Sequence, residues 1–239
     1  MNQDPLYSRY NEFKGWSEGG AAGQPEMFES IVAATGKTGA LDMLEIGFGD
    51  GSFLDWARAA GHRICGAEIR PEAIESARAR GHEVFLGTPD PRPVDLVVAL
   101  DVIEHLDRAG FSSLLETARD VLKPDGLIVA RFPNGYSPFF GRYHHADMTH
   151  GKPLTGQSVA QMAMLSGFRL VREQNPRPRP SGIRRSIKAW LAYRLRDLIE
   201  IILGYAYFGE RFPMDPNILV VLAPGPAAGS EASPNPEAR

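Results

Sequence analysis

From residue 40 onward, short apolar runs alternate with segments whose apolar positions recur every three or four residues. Residues 40–46 (ALDMLEI), 63–69 (RICGAEI) and 83–86 (EVFL) read as three strands, and 94–100 (VDLVVAL) and 126–132 (GLIVARF) as a fourth and fifth. The last two are too continuously apolar to keep one face in water, which places them centrally, in a sheet covered on both sides. Residues 52–60, 71–80 and 109–122 carry helical spacing, the third through Phe111, Leu114, Leu115, Ala118, Val121 and Leu122. Pro71 suits a first helical turn, and Lys123-Pro124-Asp125-Gly126 reads as a stop followed by a turn. A helix near 157–165 and strands at 168–173 and 217–223 complete the pattern. Such alternation predicts a doubly wound α/β fold: a mostly parallel seven-stranded sheet with helices on both faces and a helical insertion before the last strand.

That insertion, residues 176–216, is the least standard part of the chain. It opens on the stiff, Pro-rich NPRPRPSG and continues as an amphipathic helix with Ile183, Ile187, Trp190, Leu191, Leu195, Leu198, Ile199 and Ile202 at steps of three or four. Arg177, Arg179, Arg184, Arg185, Lys188, Arg194 and Arg196 cluster around its start and polar side. The stripe suits covering the core or a second copy in a homodimer; the cations suit an anionic membrane surface, met through residues 183–203, or a phosphate-bearing substrate. The chain thus divides into an N-terminal cap segment (1–35), a core (36–175), the insertion, the last core strand (217–223) and a tail (224–239). The tail is so rich in Pro, Gly, Ser and Ala that disorder is expected.

Composition narrows the function classes. A length of 239 residues suits one domain with additions, and a net charge of -3 gives no general pull toward nucleic acid. Cys65 is the single cysteine, which excludes an internal disulfide and a cysteine-based zinc site and fits a reducing compartment. The first twenty residues lack the apolar core of a secretory signal, and residues 198–208 fall short of the roughly 20 apolar residues that span a bilayer. The expected setting is cytoplasmic, with at most peripheral contact to the inner membrane face.

The most informative segment is LEIGFGDGSFL, a strand running into a glycine loop and then a helix. Glycines at 47, 49 and 51 let backbone approach a ligand closely at the carboxyl edge of the sheet. The spacing is GxGxG, whereas nicotinamide-dependent oxidoreductases use GxGxxG to seat a pyrophosphate. Here the sequence resembles the class I S-adenosylmethionine-dependent methyltransferases. GAEIRPEAIESARARG, VDLVVALDVIEHL, LKPDGLIVARFPN and LSGF follow the loop in that family's order, over about residues 40–170. More loosely, GRYHHADMTH and YFGERFPMDPNILVV resemble bacterial methyltransferases of surface-polysaccharide biosynthesis.

The resemblance implies S-adenosyl-L-methionine as cofactor and a site built from Glu45, Gly47, Phe48, Gly49, Gly51, Glu68, Ile69, Thr88, Asp101 and Val102. Glu45 would orient the methionine amino group, and Glu68 would accept the ribose hydroxyls, although Glu68 also suits a simple charge partner for the following helix N-terminus. The segment after strand three, Gly87-Thr88-Pro89-Asp90, lacks the family's usual arrangement, so the residue that reads adenine stays open. For a hydroxyl acceptor a general base is useful, and residues 141–150 hold three of the six histidines. His150 or His145 suits that role, with Asp147 orienting an imidazole; the same residues would also serve to tie down a loop. Glu104 and His105 suit either a helix start or the chemistry. HHxDxxH offers metal-ligand types, yet adjacent histidines rarely converge on one ion, and no metal is expected. The reading is a methyltransferase acting on a sugar, glycan or other small hydroxyl compound; a nicotinamide-dependent oxidoreductase and a cofactor-binding scaffold without catalysis are the alternatives.

Overall fold

The computed structural model describes residues 25–89 and 93–225. Seven strands form one sheet in the order β3-β2-β1-β4-β5-β7-β6: β1 Asp42–Ile46, β2 Arg63–Glu68, β3 Glu83–Leu86, β4 Val94–Leu100, β5 Leu122–Pro133, β6 Phe168–Gln174 and β7 Asn217–Pro224. β1 to β5 pair in parallel, and β7 runs antiparallel between β5 and β6. The helices are α1 Pro25–Ala34, α2 Ser52–Ala59, α3 Pro71–Ala79, α4 Arg108–Val121, α5 Phe140–His144, α6 Gly156–Leu165 and α7 Ile183–Phe208. The doubly wound, mostly parallel seven-stranded sheet with a long helix before its last strand is therefore the fold expected. The expected tail and most of the cap segment lie outside the described residues; of the cap, α1 packs Phe28 against Phe53 and Trp56 of α2.

The period of two in the central strands divides the core between two faces. Leu44, Val97, Ala99, Ile128 and Ala130 point to the face covered by α4 and α6, with Leu115 and Ala118 of α4 fully buried against them. Met43, Leu96, Val98 and Val129 point to the other, under α1 and α2. Two segments differ from expectation. β5 begins at Leu122, because Lys123 reaches across to Asp42 (2.8 Å) and Asp95 (2.9 Å) and pins the KPDG segment along the sheet. The stop survives as a bulge: Val94 pairs with Leu122 but Leu96 with Leu127. α7 does not lay its apolar stripe on the core. Its buried residues are Glu200 and Gly204, while the stripe faces outward.

Candidate functional site

The carboxyl ends of β1, β2 and β4 meet at the glycine loop. Gly47, Gly49 and Gly51 all have positive φ, and Gly51 begins α2. Gly47 is required twice over: its φ is 70°, and a Cβ there would lie 2.6 Å from Cγ2 of Val102. Loop and β4 end are thus in contact, which joins Gly47 and Val102 in one wall. Arg80 Nη2 donates to the Asp50 carbonyl (2.6 Å) and fixes the far side of the loop. Phe48 turns away from this wall, into the apolar cluster with Leu54, Ala73, Ile74, Ala77 and Val84, so only its backbone faces the site.

Three acids frame the wall. Glu45, on β1, is buried, and its Oε2 has no hydrogen-bond partner among the described residues. Burial holds its carboxyl well above the ordinary glutamate value of 4.5, with Asp50 and Glu68 adding to the shift and Arg131 opposing it. Glu68 closes β2 and is saturated: it accepts from the backbone of Gly49 (3.1 Å), Ile69 (2.8 Å) and Arg70 (3.3 Å) and from the Arg70 guanidinium (3.3 Å). Its first task is to brace the glycine loop against β2. Beyond it, Ile69 and Leu86 are large apolar side chains left mostly exposed, and Thr88 lies exposed in the loop after β3.

Asp101 is the one non-glycine among the described residues with positive φ (55°), held by its N–H donating to the Arg131 carbonyl (2.8 Å) and by its carboxylate on the Arg131 guanidinium. Burial works against the charge of Arg131, but Asp101 and, beyond it, Glu104 and Glu45 outweigh that and hold its guanidinium above the usual range. Arg131 thus ties together the acids of β1 and the β4 edge. It went unremarked in the sequence, where the signal was a lone cation near the end of an otherwise apolar strand.

On the far side of Asp101, a short 3-10 turn (Ile103–His105) brings Glu104 and His105 against the loop that follows α5. His150 sits with Nε2 3.8 Å from Asp147 Oδ2 and 4.0 Å from Glu104 Oε1, and its Nδ1 is 3.1 Å from the His144 carbonyl. A carbonyl only accepts, so Nδ1 carries a proton, and Nε2 faces the two carboxylates. Asp147 accepts from the Thr149 N–H (3.0 Å) and hydroxyl (2.6 Å), and Thr149 Oγ1 lies 2.9 Å from His105 Nδ1. The structure brings His150 and Asp147 together as expected, but it buries His144 and leaves His145 exposed beside Phe140. Ligand atoms of Glu104, His105 and His150 lie within 4.8 Å of one another, a different set from HHxDxxH.

Residues 24–173 match the family described as methyltransferase domain. A probable S-adenosylmethionine-dependent methyltransferase of Mycolicibacterium smegmatis is 32% identical over 136 residues, 53% of this chain and 51% of that one. A ubiquinone biosynthesis O-methyltransferase of a Methylobacterium species is 33% identical over 103 residues, 38% of this chain and 40% of that one. The match thus spans about half of these relatives or less. Among solved structures, a SAM-dependent methyltransferase from Archaeoglobus fulgidus superposes with a TM-score of 0.59 at 20% identity, covering 92% of this chain and 99% of that one, a likeness of fold. The nicotinamide reading of the glycine loop falls with the family match.

Proposed function

The chain belongs to the class I S-adenosylmethionine-dependent methyltransferases, and from that premise we propose that it methylates a hydroxyl group of a small acceptor, with sugars and glycans the first class to test. The observation that carries the acceptor chemistry is the His150 Nε2 held between Asp147 and Glu104 beside the Asp101 end of β4. A hydroxyl is a poor nucleophile until a base takes its proton, and imidazole suits that work near neutral pH. The Methylobacterium relative, a ubiquinone biosynthesis O-methyltransferase, supports the same class.

The residues present fit the cofactor. Glu45 holds a buried, unpartnered carboxylate oxygen where an ammonium group can satisfy it, Gly47 lets the loop backbone pack directly on Val102 to form one wall, and Ile69 and Leu86 offer apolar surface for a flat base. Glu68 can receive ribose hydroxyls only by sharing or exchanging its present donors, since a carboxylate has about four acceptor positions. S-adenosyl-L-methionine supplies an electrophilic methyl group; the protein supplies alignment, exclusion of water and a proton acceptor.

The direct test is transfer of labelled methyl from S-adenosyl-L-methionine to fractionated small molecules, with saccharides, lipid extracts and amines as separate arms. Label in base-stable, hydroxyl-derived ethers is the expected result. Label confined to amines or thiols would overturn the acceptor class, and binding without any transfer would favour the scaffold reading.

Glu45 gives a second prediction. Because its folded-state carboxyl holds a proton more tightly than in the unfolded chain, its contribution to stability is complete below about 4.5 and is lost as pH rises through the raised folded value. Glu45→Gln is therefore expected to raise the melting temperature at pH 8 and to change it little at pH 4. It should also weaken cofactor binding by roughly 10- to 100-fold, the worth of a charge-assisted hydrogen bond. Calorimetric titration alongside melts at the two pH values measures both, and a variant less stable than the parent at pH 8 would contradict the assignment.

A further inference from the structure

We propose that α7 docks lengthwise on an anionic phospholipid bilayer. The helix has 26 residues, so it extends about 39 Å at 1.5 Å per residue. Its polarity is inverted relative to a helix that covers a core. The side turned to the protein is polar: Glu200 is buried and accepts from Asn175, from Arg211 (3.0 Å) and from the Met214 N–H (3.1 Å). Asp197 on the same side is paired with Arg177 (3.0 Å) and Arg211 (2.7 Å). The outward side carries Arg184, Lys188, Leu191, Leu195, Leu198, Ile202 and Tyr205 at successive steps of three or four residues, all exposed. One continuous stripe thus begins cationic and becomes apolar, flanked by Trp190, Ile199 and Phe208, which are also exposed.

The charge distribution selects the occupant. Of the five cations between 183 and 208, Arg196 is paired with Asp215 (3.1 Å) and Arg185 lies 3.9 Å from Glu26, which leaves Arg184, Lys188 and Arg194 for the outward side, while both acids of the helix are turned inward and engaged. An anionic headgroup layer satisfies the cations while the acyl boundary takes the leucines and isoleucines, with aromatic side chains at the level between. A second copy fits less well. Apposing two such stripes desolvates Arg184 and Lys188 against apolar surface, with no acid on the stripe to receive them. The apolar end also reaches the loop that leaves the carboxyl end of β5: Phe208 stacks edge-on with Phe212 at 5.2 Å, and Phe212 lies 5.5 Å from Tyr136. Docking by α7 would bring the carboxyl edge of the sheet toward the bilayer. No helix among the described residues is long and apolar enough to cross a membrane, so contact of this kind is peripheral.

The test is co-sedimentation of the full chain with vesicles of phosphatidylcholine alone and with about one third phosphatidylglycerol, at low and high salt. Expected is binding to the anionic vesicles at least tenfold stronger than to the neutral ones, weakened several-fold by about 0.5 M salt. Arg184→Gln/Lys188→Gln/Arg194→Gln should reduce partitioning by on the order of 100-fold, at about fivefold for each surface cation. Leu195→Gln/Leu198→Gln/Ile202→Gln should reduce it on both vesicle types. All six positions are exposed, and unchanged circular dichroism melts will confirm folding; the parent comparison between vesicles needs no variant at all. Absence of parent binding to anionic vesicles overturns the proposal. If light scattering then shows a dimer that the leucine variant dissociates, the stripe belongs to a second copy.

Discussion

Replacing Arg131 by methionine is expected to destabilise the protein by roughly 1.5–3 kcal/mol, the usual worth of hydrogen bonds to a charged group, because the pair it makes with Asp101 is only partly buried. Methionine keeps most of the length and apolar stem, so the loss isolates the charge. Arg131 holds the Asp101 carboxylate through its guanidinium and also faces Glu104 and Glu45. Without it, Asp101 loses its counter-charge and the contact that offsets its positive φ of 55°, and the buried Glu104 and Glu45 lose a nearby cation. At about 2–4 °C per kcal/mol for a domain of this size, the melting temperature should fall by about 3–12 °C at pH 7. The deficit should shrink toward pH 4, because protonated carboxyls no longer need the cation. Arg131→Lys, which keeps the charge but not the fork, should fall between. Urea unfolding at the two pH values decides the matter: a loss below about 1 kcal/mol at pH 7, or one independent of pH, would mean that the guanidinium is merely packed there.

The sheet was legible because its signals are local. β3 and β4 occupy the residues their apolar runs predict, and the strand-loop-helix of Leu44 to Phe53 folds as its glycines require. Features that depend on what lies across the sheet were not legible. Arg131 is one cation in an apolar run until the register of β4 against β5 sets it beside Asp101. The KPDG segment reads as a turn until Lys123 finds Asp42 and Asp95 on two other strands. In GRYHHADMTH the spacing does not say which histidine turns inward; α5 ends at His144, and that ring, not the next, packs 5.5 Å from His150. Periodicity likewise gave α7 its stripe without a direction. The direction came from Glu200, whose partners Asn175 and Arg211 hold the polar side against the body.

The largest kinetic effect is expected from His150→Ala, a fall in turnover of about 10²- to 10⁴-fold, the range a positioned general base contributes. The geometry states why the loss should be in the chemical step. With Nδ1 donating to the His144 carbonyl, the ring is fixed and Nε2 is the nitrogen that can take and release the proton; it lies within 4.0 Å of the Glu104 and Asp147 carboxylates, which attract a proton held there. Neither contact involves the glycine loop, so affinity for the methyl donor should change less than about threefold, roughly RT in free energy. A loop-fastening role would give a different pattern: the 3-10 turn and the 147–151 segment would loosen together, lowering the melting temperature and acceptor affinity along with turnover. The pH profile separates the two. In the parent, turnover should decline on the acidic side as the imidazole becomes protonated, and in His150→Ala that decline should vanish from the residual activity. Should the alanine variant keep the same acidic limb, the proton is being taken by another group, and His150 holds its neighbours in place.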